Sequence, residues 1–164
     1  MIKIFILLIL AILPGCREHK DQYIGKEKYY IDKEYLKMDG ITLGSTEEQM
    51  ISALGKPDRT SISYNDYKEI VGENIYYKQL YIFLLKENYI AEIECKNSKY
   101  VFAKKVKIGM NLNEFRKVMP KGEEKISKNK LNIYYSVKNM DNHYYRFVFS
   151  NNILIEVNFI YELI

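Results

Sequence analysis

The sequence predicts an α+β fold of two tandem repeats. Each repeat is a short helical segment followed by a three-stranded antiparallel meander, with the helices packed on one face of the sheet. Two observations carry this reading. The stretch "ITLGSTEEQMISALGKP" at 41–57 recurs as "VKIGMNLNEFRKVMPKG" at 106–122. The stretch "YIFLLKENYIAEIEC" at 81–95 recurs as "YRFVFSNNILIEVNF" at 145–159. Chance could match one half of such a unit, but here two halves match in the same order.

The chain opens on a short positive start, Met1-Ile2-Lys3, and an uninterrupted apolar run at 4–13. A membrane-spanning helix needs roughly 20 apolar residues, so this run reads as the core of a secretory signal rather than a span. It ends in Leu13-Pro14-Gly15-Cys16. This pattern resembles the bacterial lipobox, with leucine three positions before the cysteine and a small residue just before it. Pro14 departs from the small residue usual between them. The resemblance implies lipid attachment at Cys16 and cleavage of residues 1–15. Two or three acyl chains hold a protein stably on a membrane, each buried methylene contributing about 0.8 kcal/mol. An ordinary cleaved signal followed by a coincidental cysteine is the simpler alternative.

Residues 16–37 form the expected membrane tether. They are charge-rich but carry Tyr23, Tyr29, Tyr30 and Tyr35, which suggests that the later part docks on the fold, since purely disordered linkers are poor in aromatics. The first repeat is expected over 38–100 and the second over 101–164. In the first, Gly44 precedes Thr46, which can cap a helix, and Gln49 stands three residues on; in the second, Gly109, Asn111 and Glu114 hold the matching places. Each set is a capping-box pattern. Met50, Ala53 and Leu54 match Phe115, Val118 and Met119, one apolar stripe per helix. Glu47 and Glu48 fall in the first helical turn, where the helix dipole favours them. Gly55 and Pro57, then Pro120 and Gly122, end the helices.

The strands follow. Runs at 75–77 and 131–137 lead into hairpins whose turns fall near Glu87-Asn88 and Asn151-Asn152, because asparagine tolerates the positive φ of such turns. Alternation places Ala91, Ile93 and Cys95, and likewise Ile155, Val157 and Phe159, toward the helices. Aligning Tyr81, Phe83 and Leu85 with core-facing Tyr145, Phe147 and Phe149 sends Leu80, Ile82 and Leu84 to the helix-free face. In the second repeat that face receives Tyr134, Tyr144, Arg146 and Val148. An open sheet face this apolar and aromatic suggests a protein-binding surface. Leu80, Ile82, Leu84, Tyr134, Tyr144 and Arg146 are its candidate contact residues. The tether or a second copy of the chain could cover the face instead.

This arrangement resembles the small outer-membrane lipoprotein family BamE (SmpA/OmlA). The glycine, capped helix, Leu54-Gly55-Lys56-Pro57 turn and hairpin carry the resemblance, together with the lipobox. In tandem, two such modules resemble the beta-lactamase inhibitor protein fold. The second copy, with Met119-Pro120-Lys121-Gly122, departs from the turn. The resemblance implies helices on one face of a sheet, a role in binding other proteins and no catalytic residues to transfer.

The residues carry no recognisable catalytic constellation. His19 lies in the tether, and Asp141 with His143 reads as a solvated pair. No phosphate-binding glycine loop, zinc-protease motif or calcium loop occurs. No cofactor and no metal is expected, and the chain reads as not an enzyme. "KYVFAKKVK" at 99–107 reads as the linker between repeats. The formal charge is +4; removing residues 1–15 takes one lysine and no acid. Such mild charge, with export, argues against a nucleic-acid partner. With Cys16 lipidated, Cys95 is the only other cysteine and reads as a buried structural thiol.

The function expected is that of a non-catalytic, lipid-anchored cell-envelope protein that binds another protein through its sheet face, in an assembly or scaffold role. The alternative is an inhibitor or immunity protein that neutralises a secreted enzyme or toxin. If the source is Gram-negative, Arg17 after the lipid cysteine implies the outer membrane, facing the periplasm.

Overall fold

The computed structural model describes residues 29–32, 35, 37–102, 105–138 and 140–161, with backbone alone at 140 and 141. The expected signal, Cys16, His19 and most of the tether lie outside the described residues. The elements run β1 (Tyr30–Ile31), α1 (Glu47–Leu54), β2 (Arg59–Tyr64), β3 (Ile70–Tyr77), β4 (Leu80–Leu85) and β5 (Ile90–Cys95), then α2 (Leu112–Val118), β6 (Glu123–Ser127), β7 (Lys130–Val137), β8 (Met140–Ser150) and β9 (Ile153–Tyr161).

The fold is α+β, but it is mostly sheet. All nine described strands join in one sheet in the order β1-β7-β8-β9-β5-β4-β3-β2, with β6 also paired to β7. This corrects the expectation of helices laid over two three-stranded meanders. Each half contributes four consecutive antiparallel strands, and the halves merge through β5 and β9. The strands missed are β1, β2 and β6, all at outer edges. One edge of β7 is shared: β6 takes Lys130 to Tyr134, and β1 runs parallel beside Ser136 and Val137.

The helices are short, eight and seven residues. Helices of this length are unstable alone, so packing and caps must hold them. In α1, Thr46 Oγ1 accepts from Gln49 N at 3.3 Å and Gln49 Oε1 accepts from Thr46 N at 2.9 Å, a complete capping box. In α2, Asn111 Oδ1 instead accepts from Asn113 N at 2.9 Å, so the cap forms without the expected return bond from Glu114. Met50 and Phe115 insert into the core, and the Phe115 ring lies 5.0 and 5.1 Å from the rings of Phe147 and Phe149. Met119 is buried, whereas Leu54 only packs against the core's margin.

What recurs in the two halves is a set of hydrogen bonds. Gly44 N donates to Ile90 O and Gly109 N to Leu154 O, both at 2.8 Å, with both glycines at positive φ (81° and 92°) that a side chain would strain. Ile90 N and Leu154 N return to Ser45 O and Met110 O. The Tyr77 hydroxyl donates to Gly55 O at 2.9 Å, and the Tyr135 hydroxyl to Pro120 O at 2.7 Å, so a tyrosine secures the exit of each helix. The two halves meet at matching places. Glu94 stands directly opposite Asn158, its counterpart in the aligned hairpins, and Met38 bridges to Phe102.

One face of the sheet, with the helices, forms a single core. Ile75, Ile93, Tyr145, Phe147, Val157 and Phe159 are among its buried side chains, and Tyr145 and Phe159 meet edge to face with centroids 4.4 Å apart. Cys95 belongs to it, fully buried and free. Phe102 and Val106, from the stretch read as a linker, bridge each other and are also core.

Candidate protein-binding face

The opposite, helix-free face differs from the expectation in one half. Leu80, Ile82 and Leu84 do not lie on it: they are 2%, 0% and 2% exposed and belong to the core. Their strand partners are Tyr77, Ile75 and Glu73 on β3 and Cys95, Ile93 and Ile90 on β5. The turn explains the error. The β4–β5 hairpin turns through Lys86, Glu87 and Asn88, with Leu85 N donating to Tyr89 O. The β8–β9 hairpin turns through Asn151 and Asn152 alone, both at positive φ. Aligning the sequences straight through the turn therefore slips β4 by one residue, and a one-residue slip moves every side chain to the other face.

Tyr134, Tyr144 and Arg146 do lie on the helix-free face, each partly exposed. In the first half the same face carries Tyr76, Tyr81 and Phe83, also partly exposed. Register strings them into a row: Arg59, Tyr76, Tyr81, Glu94, Asn158, Arg146 and Tyr134 each stand opposite the next. The missed signal was present in the sequence, since Tyr81 and Phe83 alternate with the buried Leu80, Ile82 and Leu84.

The middle of this row is a charged cluster between two aromatic wings. Glu156 accepts from Arg146 Nη2 at 3.2 Å and from Asn158 Nδ2 at 2.9 Å, and faces Lys96 Nζ at 3.3 Å. Lys96 also pairs with Glu94. Burial pushes the Glu156 carboxyl up, but the Asn158 amide, Lys96 and Arg146 outweigh it and hold the group below the ordinary carboxylate range. Glu92, beside them, is raised by burial and by Glu94 against the pull of Arg146. Arg146 Nε is buried and has no acceptor among the described residues. On one wing, the Arg59 guanidinium stacks 4.2 Å from the Tyr76 ring, Tyr76 and Tyr81 lie 5.5 Å apart, and the Tyr81 hydroxyl donates to Asn74 Oδ1 at 3.1 Å. Burial, then Glu92, Tyr76 and Glu94, push Tyr81 up to about 12. On the other wing, Tyr134 sits 6.4 Å from Tyr144 and under Lys125.

Among the described residues no three His, Cys, Asp or Glu side chains gather as a metal site. His143 stacks on Tyr161 at 4.6 Å. An open groove of about 650 Å³ beside α1 is lined by Thr42, Ser45, Glu48, Gln49 and Ser52 among others. The Cys95 thiol is pushed up to about 11, chiefly by burial.

No family model and no curated protein matches the chain. Solved structures do. An extracellular protein containing an SCP domain from Bacillus anthracis aligns at 12% identity and a TM-score of 0.46, over 72% of this chain and 43% of that one. The chain thus spans less than half that protein's length. A DUF4309 family protein (YjgB) of Bacillus subtilis aligns at 15% identity and a TM-score of 0.42, over 75% of this chain and 83% of that one. A Streptococcus mutans protein described as a candidate beta-lactamase inhibitor protein aligns at 14% identity and a TM-score of 0.30, over 73% and 85%. At these values the likenesses carry no argument about activity. The BamE resemblance rests on the sequence motifs alone.

Proposed function

We propose that the chain is a non-catalytic, lipid-anchored protein of the cell envelope that binds another protein through its helix-free sheet face. The observation that carries this reading is the row across that face: tyrosines and Phe83 held half-exposed on both sides of Arg146 and Glu156. Tyrosine and arginine are enriched among the few residues that carry most of the energy of protein interfaces. Envelope placement rests on the signal-like start and Cys16. Among the described residues no helix is long and apolar enough to cross a membrane.

An inhibitor or immunity protein would use the same face on a secreted enzyme or toxin. Pull-down of the full chain from detergent-solubilised envelope separates the two, because the partner is then an assembly component or a secreted effector. Arg146→Glu and Tyr81→Asp should each abolish the co-purifying partner while leaving the melting curve cooperative. A partner retained by both folded variants refutes the face. Separately, Cys16→Ser should abolish acyl labelling and release the protein from membranes; an unlabelled wild-type chain that stays membrane-bound refutes the anchor.

A further inference from the structure

The two outer edges of the sheet are not alike. At one, β6 carries Glu123, Glu124 and Lys125, and the rest of the β7 edge is taken by β1. Charges of this kind guard an edge against further pairing. At the other, β2 pairs only with β3 among the described strands. Its stretch Thr60-Ser61-Ile62-Ser63-Tyr64 holds no charge and no proline, and Ile62 and Tyr64 are 52% and 57% exposed. The β2–β3 hairpin adds Tyr67 and Ile70 to the same exposed apolar end. The irregularity between Ser63 and Tyr64 places its extra residue, Val71, in β3, so β2 itself stays regular.

We infer that β2 is a self-pairing edge, onto which a second copy of this chain adds its own β2 antiparallel about a two-fold axis at Ile62. The strand is suited to meet itself. Ser61-Ile62-Ser63 reads the same in both directions, so the axis sets Ile62 against its own copy and Ser61 against Ser63 of the other chain. Thr60 then faces Tyr64. No side chain in this span meets a like charge, whereas β6 paired with itself would bring its own charged residues together. An axis perpendicular to the sheet keeps both helix-bearing faces on one side and leaves both helix-free faces open. The molecule already contains this junction once: β5 and β9 run antiparallel with Glu94 opposite its counterpart Asn158.

Two measurements on the full chain in detergent test the inference. Sedimentation should give a dimer that reverts to monomer with Ile62→Lys and persists with Ile126→Lys, the control on the guarded edge. Directly opposed side chains lie within disulfide reach, so Ile62→Cys should yield a covalent dimer under mild oxidation and Ile126→Cys should not. The cross-link keeps the test decisive if the lysine variant fails to fold. A wild-type chain that stays monomeric when concentrated, a dimer indifferent to Ile62→Lys, or equal cross-linking at both edges would overturn the inference.

Discussion

Ile82→Ala separates the face assignments cleanly. Ile82 is fully buried in the middle of β4, between Ile75 and Ile93, in the core shared by both halves. Removing its three outer carbons loses their transfer energy and opens a cavity between strands that cannot close on it. Substitutions of this class cost about 2–5 kcal/mol. For a chain of this size each kcal/mol lowers the melting temperature by roughly 2–4 °C, so a fall of about 4–20 °C is expected. Tyr134→Ala is the reference. Tyr134 is partly exposed and loses one ring contact and an exposed lysine contact, worth about 1 kcal/mol together. Ile82→Lys should go further, because an ammonium enclosed there cannot reach water and costs several kcal/mol beyond the cavity. Denaturant and thermal melts followed by circular dichroism read all three. Equal small losses for Ile82→Ala and Tyr134→Ala, or a wild-type melt for Ile82→Lys, would restore Ile82 to the open face and refute the one-residue slip.

Other expectations follow from the same contacts. Tyr135→Phe should destabilise by about 1 kcal/mol by leaving Pro120 O without its buried donor, and an unchanged melt would remove the tyrosine from the helix exit. Glu156 has a folded-state pKa below its ordinary 4.5, so its contribution is present above 4.5 and lost as pH falls through the lower folded value. Glu156→Gln should therefore melt less steeply with pH on the acid side than wild type, and parallel acid limbs would contradict the cluster. In a Cys16→Ser background, Cys95 should resist thiol reagents near pH 8 and react on unfolding, given a thiol at about 11 in the core; rapid native labelling would place it at the surface.

The sequence made the local signals legible and hid the long-range ones. Glycine before a capping residue, with an apolar stripe behind it, located both helices, because caps and periodicity act over a few residues. The asparagine turns located both last hairpins. The slip in β4 arose because turn length is a local choice that alters register downstream: one extra residue at Lys86–Asn88 leaves the motif recognisable and reverses the faces before it. β2 and β6 escaped because their residues are almost all exposed, so neither face imprints an alternation. The tyrosine locks at Tyr77 and Tyr135 were invisible because each joins a strand to a helix exit 22 or 15 residues away. Half of the proposed binding face was readable: Tyr134, Tyr144 and Arg146 stand where alternation put them, and Tyr81 and Phe83 replace Leu80, Ile82 and Leu84.

The most direct test of the binding face is site-specific photo-crosslinking in living cells. A photoreactive phenylalanine analogue is placed in turn at Tyr81, Tyr144 and Ile51, the last an exposed position on α1. One discrete adduct, to the same protein, is expected from Tyr81 and Tyr144, and none from Ile51. Adducts from Ile51 alone, or none from either sheet position in a folded, membrane-bound chain, would contradict it.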